Sequence, residues 1–246
     1  MIANKNILVS GATSGLGLSL TEFLLKNGCK VIALGRNDSN IKLFQKGHYK
    51  NNYRFVSIDL ANFEQYTDIF EVALKGEKLD GFVHCAGIEE TLPLTLYNPK
   101  NIFDIFNINV FSGIELLRYF SKKKYSNDGS SVIFFSSVMG ELGQPGKIGY
   151  CATKSAVLGV VRSAALELSK REIRVNAISP GVVNTPMTQK LFSQIDEINI
   201  ERIIKMHPLG IGEVDDVTPL IVFLLSDGSK WITGQNFIID GGYSIQ

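Results

Sequence analysis

The chain is poor in the residues that mark several large classes of protein. Its three cysteines, Cys29, Cys85 and Cys151, are odd in number and sit at no metal-ligand spacing. That argues against a disulfide framework or a metal site and leaves reduced thiols. Cys151, next to Tyr150, reads as a small packing residue rather than a nucleophile. No apolar run reaches the ~18 residues of a membrane span, and no signal-peptide pattern precedes the first strand, so a cytoplasmic protein is expected. Twenty-five basic residues nearly cancel 24 acidic ones, for a net charge of +1. With no basic stripe, the chain offers no footprint for nucleic acid. Lys122-Lys123-Lys124 runs into polar Ser126–Gly129 and reads as solvated surface. No composition break, linker or repeat divides the 246 residues, so one domain spanning 1–246 is expected.

What is present begins with Tyr150 and Lys154. Four residues apart on a helix, they share a face. A free tyrosine has a pKa of about 10, and a neighbouring cation favours the phenolate. A downward shift of roughly three units, about 4 kcal/mol, would make Tyr150 a general acid or base near neutral pH. Tyr119 and Lys123 share the spacing, so the pair alone is weak, and context separates the two. Ser137 closes the strand-like run Val132–Phe135, and apolar Val157, Val160, Val161, Ala164 and Leu168 continue the Tyr150 helix at helical period. A serine at a strand end facing a Tyr/Lys helix is a site for a carbonyl oxygen.

A dinucleotide site is legible near the amino terminus. Ile7-Leu8-Val9 runs into a loop with Gly11, Gly15 and Gly17, then an amphipathic segment Leu18–Lys26, then a second strand Lys30–Leu34. Strand, glycine-rich turn, helix, strand opens a nucleotide-binding parallel sheet. Gly11 permits the turn, Gly15 leaves room for a phosphate and Gly17 allows close helix packing. Thr13, Ser14 and Leu16 complete a loop whose helix amino terminus offers N–H groups to a diphosphate. After the second strand stand Gly35 and Arg36 rather than an acidic residue. A guanidinium suits the 2′-phosphate of NADP(H), which is therefore favoured over NAD(H), although Asp38 is close enough to oppose it.

Further along, Tyr53–Ile58 is a third strand, ending at Asp59-Leu60. Asp59 could accept from an adenine amino group, cap the following helical segment Asn62–Leu74, or do both. A fourth strand, Gly81–His84, leads into Cys85, Ala86 and Gly87, small residues that allow a ribose to approach. His84 reads as a satisfied core histidine. Asn109, inside the helical segment Asn98–Ser121, either marks a local distortion holding a water or is a plain polar-face residue. The sixth strand, Arg174–Ile178, enters a bend with Pro180, Gly181, Val183 and Thr185 at the sheet edge where ligands bind. Thr185 and nearby amides are expected at the nicotinamide end. Residues 186–212 are poorly punctuated and read as a mobile substrate lid. A helix Glu213–Leu225 and a last strand Ile232–Ile239 follow.

From Asn6 to Tyr243 these features, in this order, resemble the classical short-chain dehydrogenase/reductase family, and its 3-oxoacyl-[acyl-carrier-protein] reductase branch. The resemblance implies an α/β fold: a single doubly wound Rossmann-type domain, with a seven-stranded parallel sheet and helices on both faces. It implies hydride transfer between a nicotinamide cofactor and a carbonyl or alcohol. Tyr150 would donate the proton, Ser137 bind the carbonyl oxygen, Lys154 lower the tyrosine pKa and hold the nicotinamide ribose, and Asn109 hold a water linking Lys154 to solvent. A homo-oligomer, tetramer or dimer, is also implied. Three departures stand out: His84-Cys85 where the family often has Asn-Asn, Ser10 where threonine is usual, and Ile211 where an arginine is frequent.

The leading expectation is an NADPH-dependent carbonyl reductase, with a 3-oxoacyl thioester as candidate substrate and an acyl carrier protein as candidate partner. Arg171 is either a residue that meets that acidic carrier or an ordinary helix terminus. An alcohol, polyol or sugar dehydrogenase is the nearest alternative. A non-catalytic dinucleotide sensor or scaffold is the alternative of another class.

Overall fold

A computed structural model of the chain describes residues 2–40, 44 and 49–245. Seven strands form: β1 (Asn6–Ser10), β2 (Lys30–Gly35), β3 (Tyr53–Ser57), β4 (Leu79–His84), β5 (Ser126–Phe135), β6 (Arg174–Pro180) and β7 (Asn236–Ile239). All pair in parallel, in the order β3-β2-β1-β4-β5-β6-β7. The order reverses at β1, whose two neighbours are β2 and β4. That switch point opens a crevice at the carboxyl ends of the strands.

The two-residue side-chain period of a strand explains the two cores. Leu8, Ile32, Leu34, Phe82, Val132 and Phe134 face one way and pack with Tyr66, Phe70, Leu116, Phe120 and Val157. Ile7, Val9, Val31, Ala33, Val83 and Ile133 face the other way and pack with Leu20, Leu24, Ile221 and Leu225. Helices α1 (Gly15–Lys26) and α8 (Val214–Leu225) cover the second face. The first is covered by the segment containing α2 (Tyr66–Asp68), by α4 (Ser112–Phe120) and by α5 (Ile148–Leu168). Strands buried on both faces read as nearly unbroken apolar runs, which is why most were visible in the sequence.

Five segments differ from expectation. The last strand begins only at Asn236, because Gly234 adopts φ +73° and the Asn176 side chain bonds Ile232 O (3.0 Å) and Gln235 N (3.1 Å). The fifth strand starts six residues early, at Ser126, with a register shift opposite Leu79/Gly81. Asp59 does not cap the next helix: its Oδ1 accepts from Ala61 N at 3.0 Å, within its own turn. The segment after it is a 3-10 turn, the short α2 and a π turn, Ile69–Ala73.

The expected helix at 98–121 is α3 (Pro99–Phe106), a π turn at Asn107–Phe111, and then α4. Asn109 therefore does sit in a local distortion. Of residues 186–212, two stretches are regular helices, α6 (Pro186–Phe192) and α7 (Glu197–Lys205). Their caps are Thr185, which accepts from Thr188 N, and Asp196, which accepts from Asn199 N at 2.9 Å. Pro186 follows its cap directly, a start signal present in the sequence and passed over.

Candidate active site

At the carboxyl end of β5 the chain turns tightly and grips α5. Ser136 Oγ donates to Lys154 O (2.8 Å), and Ser155 Oγ donates to Gly140 O (2.6 Å). Gly140 can have no side chain: a Cβ there would stand 2.6 Å from Ser136 Oγ and 3.0 Å from Lys154 O. This clasp sets Ser137, at the head of a 3-10 turn, against the first turn of α5. Ser137 Oγ accepts from Met139 N at 3.2 Å, and its hydroxyl acts on the Tyr150 phenol to favour the ionised form. One helical turn on, Lys154 Nζ donates to Phe135 O at 2.8 Å and lies 5.5 Å from the Tyr150 ring centroid. Ser137, Tyr150 and Lys154 open onto one cavity of about 630 Å³.

The electrostatics overturn the expected sign at Tyr150. Burial pushes the phenol up, to about 12; the nearby Ser137 hydroxyl opposes this, and the Glu89 carboxylate adds to it. The expected downward pull from Lys154 is not among the influences on the phenol, which desolvation dominates. Lys154 is itself buried, and that burial pulls it down to about 8. With its proton aimed at the Phe135 carbonyl, Lys154 is a weak counter-charge for the phenol.

Asn109 stands just behind this row. Its Oδ1 accepts from Ile88 N (2.8 Å), and its Nδ2 donates to Ile88 O (2.9 Å) and Thr153 Oγ1 (3.0 Å). A Cβ on Gly87 would lie 3.4 Å from Asn109 Oδ1 and 3.5 Å from Lys154 Nζ, so Gly87 separates the two. The π turn thus ties the loop after β4 to α5. His84 is buried and bonded on both ring nitrogens, to Ser10 Oγ (2.8 Å) and Ser112 Oγ (3.5 Å). Burial lowers its pKa to about 3, so it is neutral. It supplies the cross-strand tie that an asparagine amide would otherwise give.

The loop after β1 fits a dinucleotide. Ser14 gives α1 no side-chain cap, so the first amides of the helix are left for an anion. Gly11 and Gly15 take φ +65° and +50°. A Cβ on Gly15 would meet only the Thr185 side chain and Pro186, at 3.5 Å or more, which leaves room above the loop. Thr13 packs on Gly35, at the end of β2, where any Cβ would lie 2.5 Å from Thr13 Cγ2. Arg36, the next residue, is exposed and in no ion pair among the described residues. Asp38 is partly buried and acts on Tyr53. Asp59 is exposed and Leu60 buried at the end of β3, where Leu60 O accepts from Tyr66 OH (2.7 Å). Ala86 N bonds Ser10 Oγ at 3.4 Å.

Leu16, Cys85 and Gly87 line the same cavity as Tyr150, as do Pro180, Gly181, Val183 and Thr185 from the end of β6. Gly11, Gly17, Arg36, Asp59 and Leu60 do not line it. The far wall comes from α6 and α7, through residues such as Met187, Ile203 and Arg202. His207 pins that wall: its Nδ1–H donates to Ile203 O (2.7 Å) and its Nε2 accepts from Val182 N (3.2 Å).

Sequence reading passed over Glu89, Thr91 and Lys147. Lys147 is buried, ion-paired to Glu89 and bonded to Thr91 Oγ1 at 3.0 Å. A lysine three residues before Tyr150, on the same helix end, was the one available signal. Arg171 proves to be neither a free docking residue nor a solvated terminus. It bonds Asp128 Oδ1 (2.7 Å), Ser121 O (2.7 Å) and Ser126 O (2.8 Å). It sits beyond the far end of α5, some ~30 Å of helix from Tyr150.

Among known proteins, a family model described as enoyl-(acyl carrier protein) reductase matches residues 11–244. The chain is 34% identical over 243 residues to a 3-oxoacyl-[acyl-carrier-protein] reductase FabG of Rickettsia felis, covering 98% of this chain and 97% of that one. Among solved structures it resembles 4-hydroxyisoleucine dehydrogenase complexed with NADH (31% identity, TM-score 0.91, 99% and 100% covered). It also resembles ElxO with NADP bound (29% identity, TM-score 0.86, 99% and 100% covered). With a glycine loop at the β1 switch point and a Ser137-Tyr150-Lys154 row across the crevice, the chain belongs to the short-chain dehydrogenase/reductase family of oxidoreductases and is similar within it to the 3-oxoacyl-[acyl-carrier-protein] reductases.

Proposed function

We propose that the protein is an NADPH-dependent reductase that converts a carbonyl to an alcohol, with a 3-oxoacyl thioester as its leading substrate class. The observation that carries this reading is the row of Ser137, Tyr150 and Lys154 on the wall of one cavity, with Lys154 one helical turn behind Tyr150. A bound reduced nicotinamide dinucleotide would supply the hydride. Gly11, Gly15 and the start of α1 hold its diphosphate, with Thr13, Ser14 and Leu16 around it. Arg36 meets a 2′-phosphate, Asp59 and Leu60 flank the adenine, and Pro180, Gly181, Val183 and Thr185 stand at the nicotinamide end.

Ser137 Oγ holds the substrate oxygen, and Tyr150 OH gives it the proton. A phenol pushed up to about 12 is fully protonated at neutral pH, which suits donation to a nascent alkoxide better than removal of an alcohol proton. Lys154 returns a proton toward Tyr150, and Asn109 fixes the loop that holds Gly87 beside it. Incubation with an acetoacetyl thioester and NADPH, followed by absorbance, tests the assignment. Turnover of a polyol or sugar with no thioester reduction would replace it with a dehydrogenase of the same family.

Two further expectations follow. Arg36→Ala should weaken NADPH roughly ten- to a hundredfold more than NADH, the cost of one charge-assisted phosphate contact. Equal loss for both dinucleotides in fluorescence titrations would remove Arg36 from cofactor choice. The second concerns pH. Because burial lowers Lys154 to about 8, its proton is present below that pH and lost above it. The reductive kcat/KM should therefore fall with a single ionisation as pH rises through about 8, and a plateau reaching pH 10 would contradict the assigned role. Exposed Phe103 on α3, Leu166 on α5 and Trp231 before β7 support a homo-oligomer.

A further inference from the structure

The Lys147–Glu89 pair is buried in the wall of the cavity, with side chains only 8% and 15% exposed. The two residues come from different elements: Glu89 from the loop after β4, Lys147 from the cap of α5. Thr91 closes the group, donating to Glu89 Oε1 at 2.7 Å and accepting from Lys147 Nζ at 3.0 Å. Leu92 N bonds Gly146 O at 2.7 Å and holds the loop against the helix. Gly146, at φ +79°, would place a Cβ 3.1 Å from Thr91 Cγ2, so the approach is close.

An ammonium has three N–H donors. Two of them, on Lys147, are taken by Glu89 and Thr91, and no acceptor for the third occurs among the described residues. The cavity wall thus carries two donor groups: the Ser137/Tyr150 hydroxyls and, 5.9 Å from the Tyr150 ring centroid, the Lys147 ammonium with its spare N–H. Glu89 neutralises the lysine, so the second donor serves a neutral acceptor oxygen. A carboxylate placed there would face the Glu89 charge at close range.

We infer that Lys147, held by Glu89 and Thr91, orients the substrate by donating to a second, uncharged oxygen a few bonds from the carbon reduced, as in a 3-oxo ester or thioester. The pair selects such substrates over simple ketones through the Lys147 donor, and over 3-oxo acids through the Glu89 charge. This rests on the carbonyl-reductase reading above and specifies its substrate.

The test is a three-substrate panel, ethyl acetoacetate, acetoacetate and 2-pentanone, each reduced with NADPH by the native enzyme and by Lys147→Met and Glu89→Gln. Taking ratios between substrates cancels their intrinsic reactivities and any general loss of active enzyme. Lys147→Met should lower the kcat/KM ratio of ethyl acetoacetate to 2-pentanone by roughly ten- to a hundredfold, the loss of one hydrogen bond from a charged donor. Glu89→Gln should raise acetoacetate relative to ethyl acetoacetate by about tenfold. Should Lys147→Met not fold, as judged by lost NADPH affinity, the nearly isosteric Glu89→Gln decides alone. Ratios unchanged in both variants, or equal losses on all three ketones, would overturn the inference while leaving the reductase reading in place. A native enzyme that reduces none of the three, nor an acetoacetyl thioester, would overturn that reading, and the inference with it.

Discussion

Tyr150→Phe should lower kcat for carbonyl reduction by roughly 10²–10⁴, the usual contribution of a positioned general acid, while NADPH affinity changes little. The substitution removes one oxygen and keeps the ring. The clasp that positions α5 runs through Ser136, Ser155 and Gly140, none of which touches the phenol oxygen in that clasp. The Lys154 contact to Phe135 O is equally independent of it. What disappears is the hydroxyl proposed as proton donor. Single-turnover kinetics, with NADPH titrated in parallel, separate the two effects. Activity within a few-fold of the native enzyme would mean that the proton comes from elsewhere, and the site assignment would fall.

Gly17→Ala is expected to be the most damaging change outside the Tyr150 row. A Cβ at this position would lie 2.2 Å from the carbonyl oxygen of Gly11 and 2.8 Å from its carbon. Both are backbone atoms of the turn that α1 must pack against, so no side-chain rotation relieves the clash. The helix start has to withdraw, and the amides proposed for the diphosphate go with it. Overpacking of this kind costs about 3 kcal/mol or more. For a chain of this length that lowers Tm by roughly 6–12 °C.

The built-in control is Gly159→Ala. Gly159 is exposed on α5, and an added Cβ would meet nothing within 4 Å. Relief of the glycine entropy cost in a helix should stabilise it by about 0.5–1 kcal/mol. Thermal melts of both variants, with NADPH affinity measured alongside, check the pair. A Gly17→Ala protein with native Tm and native affinity would show that the loop is not packed as described.

Much of the frame was readable before any coordinates. Val9, Ala33 and Val83 belong to apolar runs short enough for strands and bounded by glycine or polar turns. Gly11, Gly15 and Gly17 fall between a strand and a helix. The Tyr150-Lys154 spacing places both side chains on one helical face at any tertiary arrangement. The helices within residues 186–212 were missed for a local reason: Thr185-Pro186 and Asp196 are ordinary cap signals, hidden by mixed polarity in the helices that follow. The start of β5 at Ser126 was missed because Asn127, Asp128 and Gly129 are exposed and read as a turn.

By itself, then, the amino-acid order determined the parallel sheet, the glycine loop and the pairing of Tyr150 with Lys154, because each depends on residues within a turn or a strand of one another. Only the tertiary structure decided that burial governs the phenol, that Arg171 is consumed by Asp128 and Ser126, and that Lys147 meets Glu89, 58 positions away. Desolvation and ion pairing are set by what the fold brings alongside a group, and that company is chosen by chain segments remote from it in sequence.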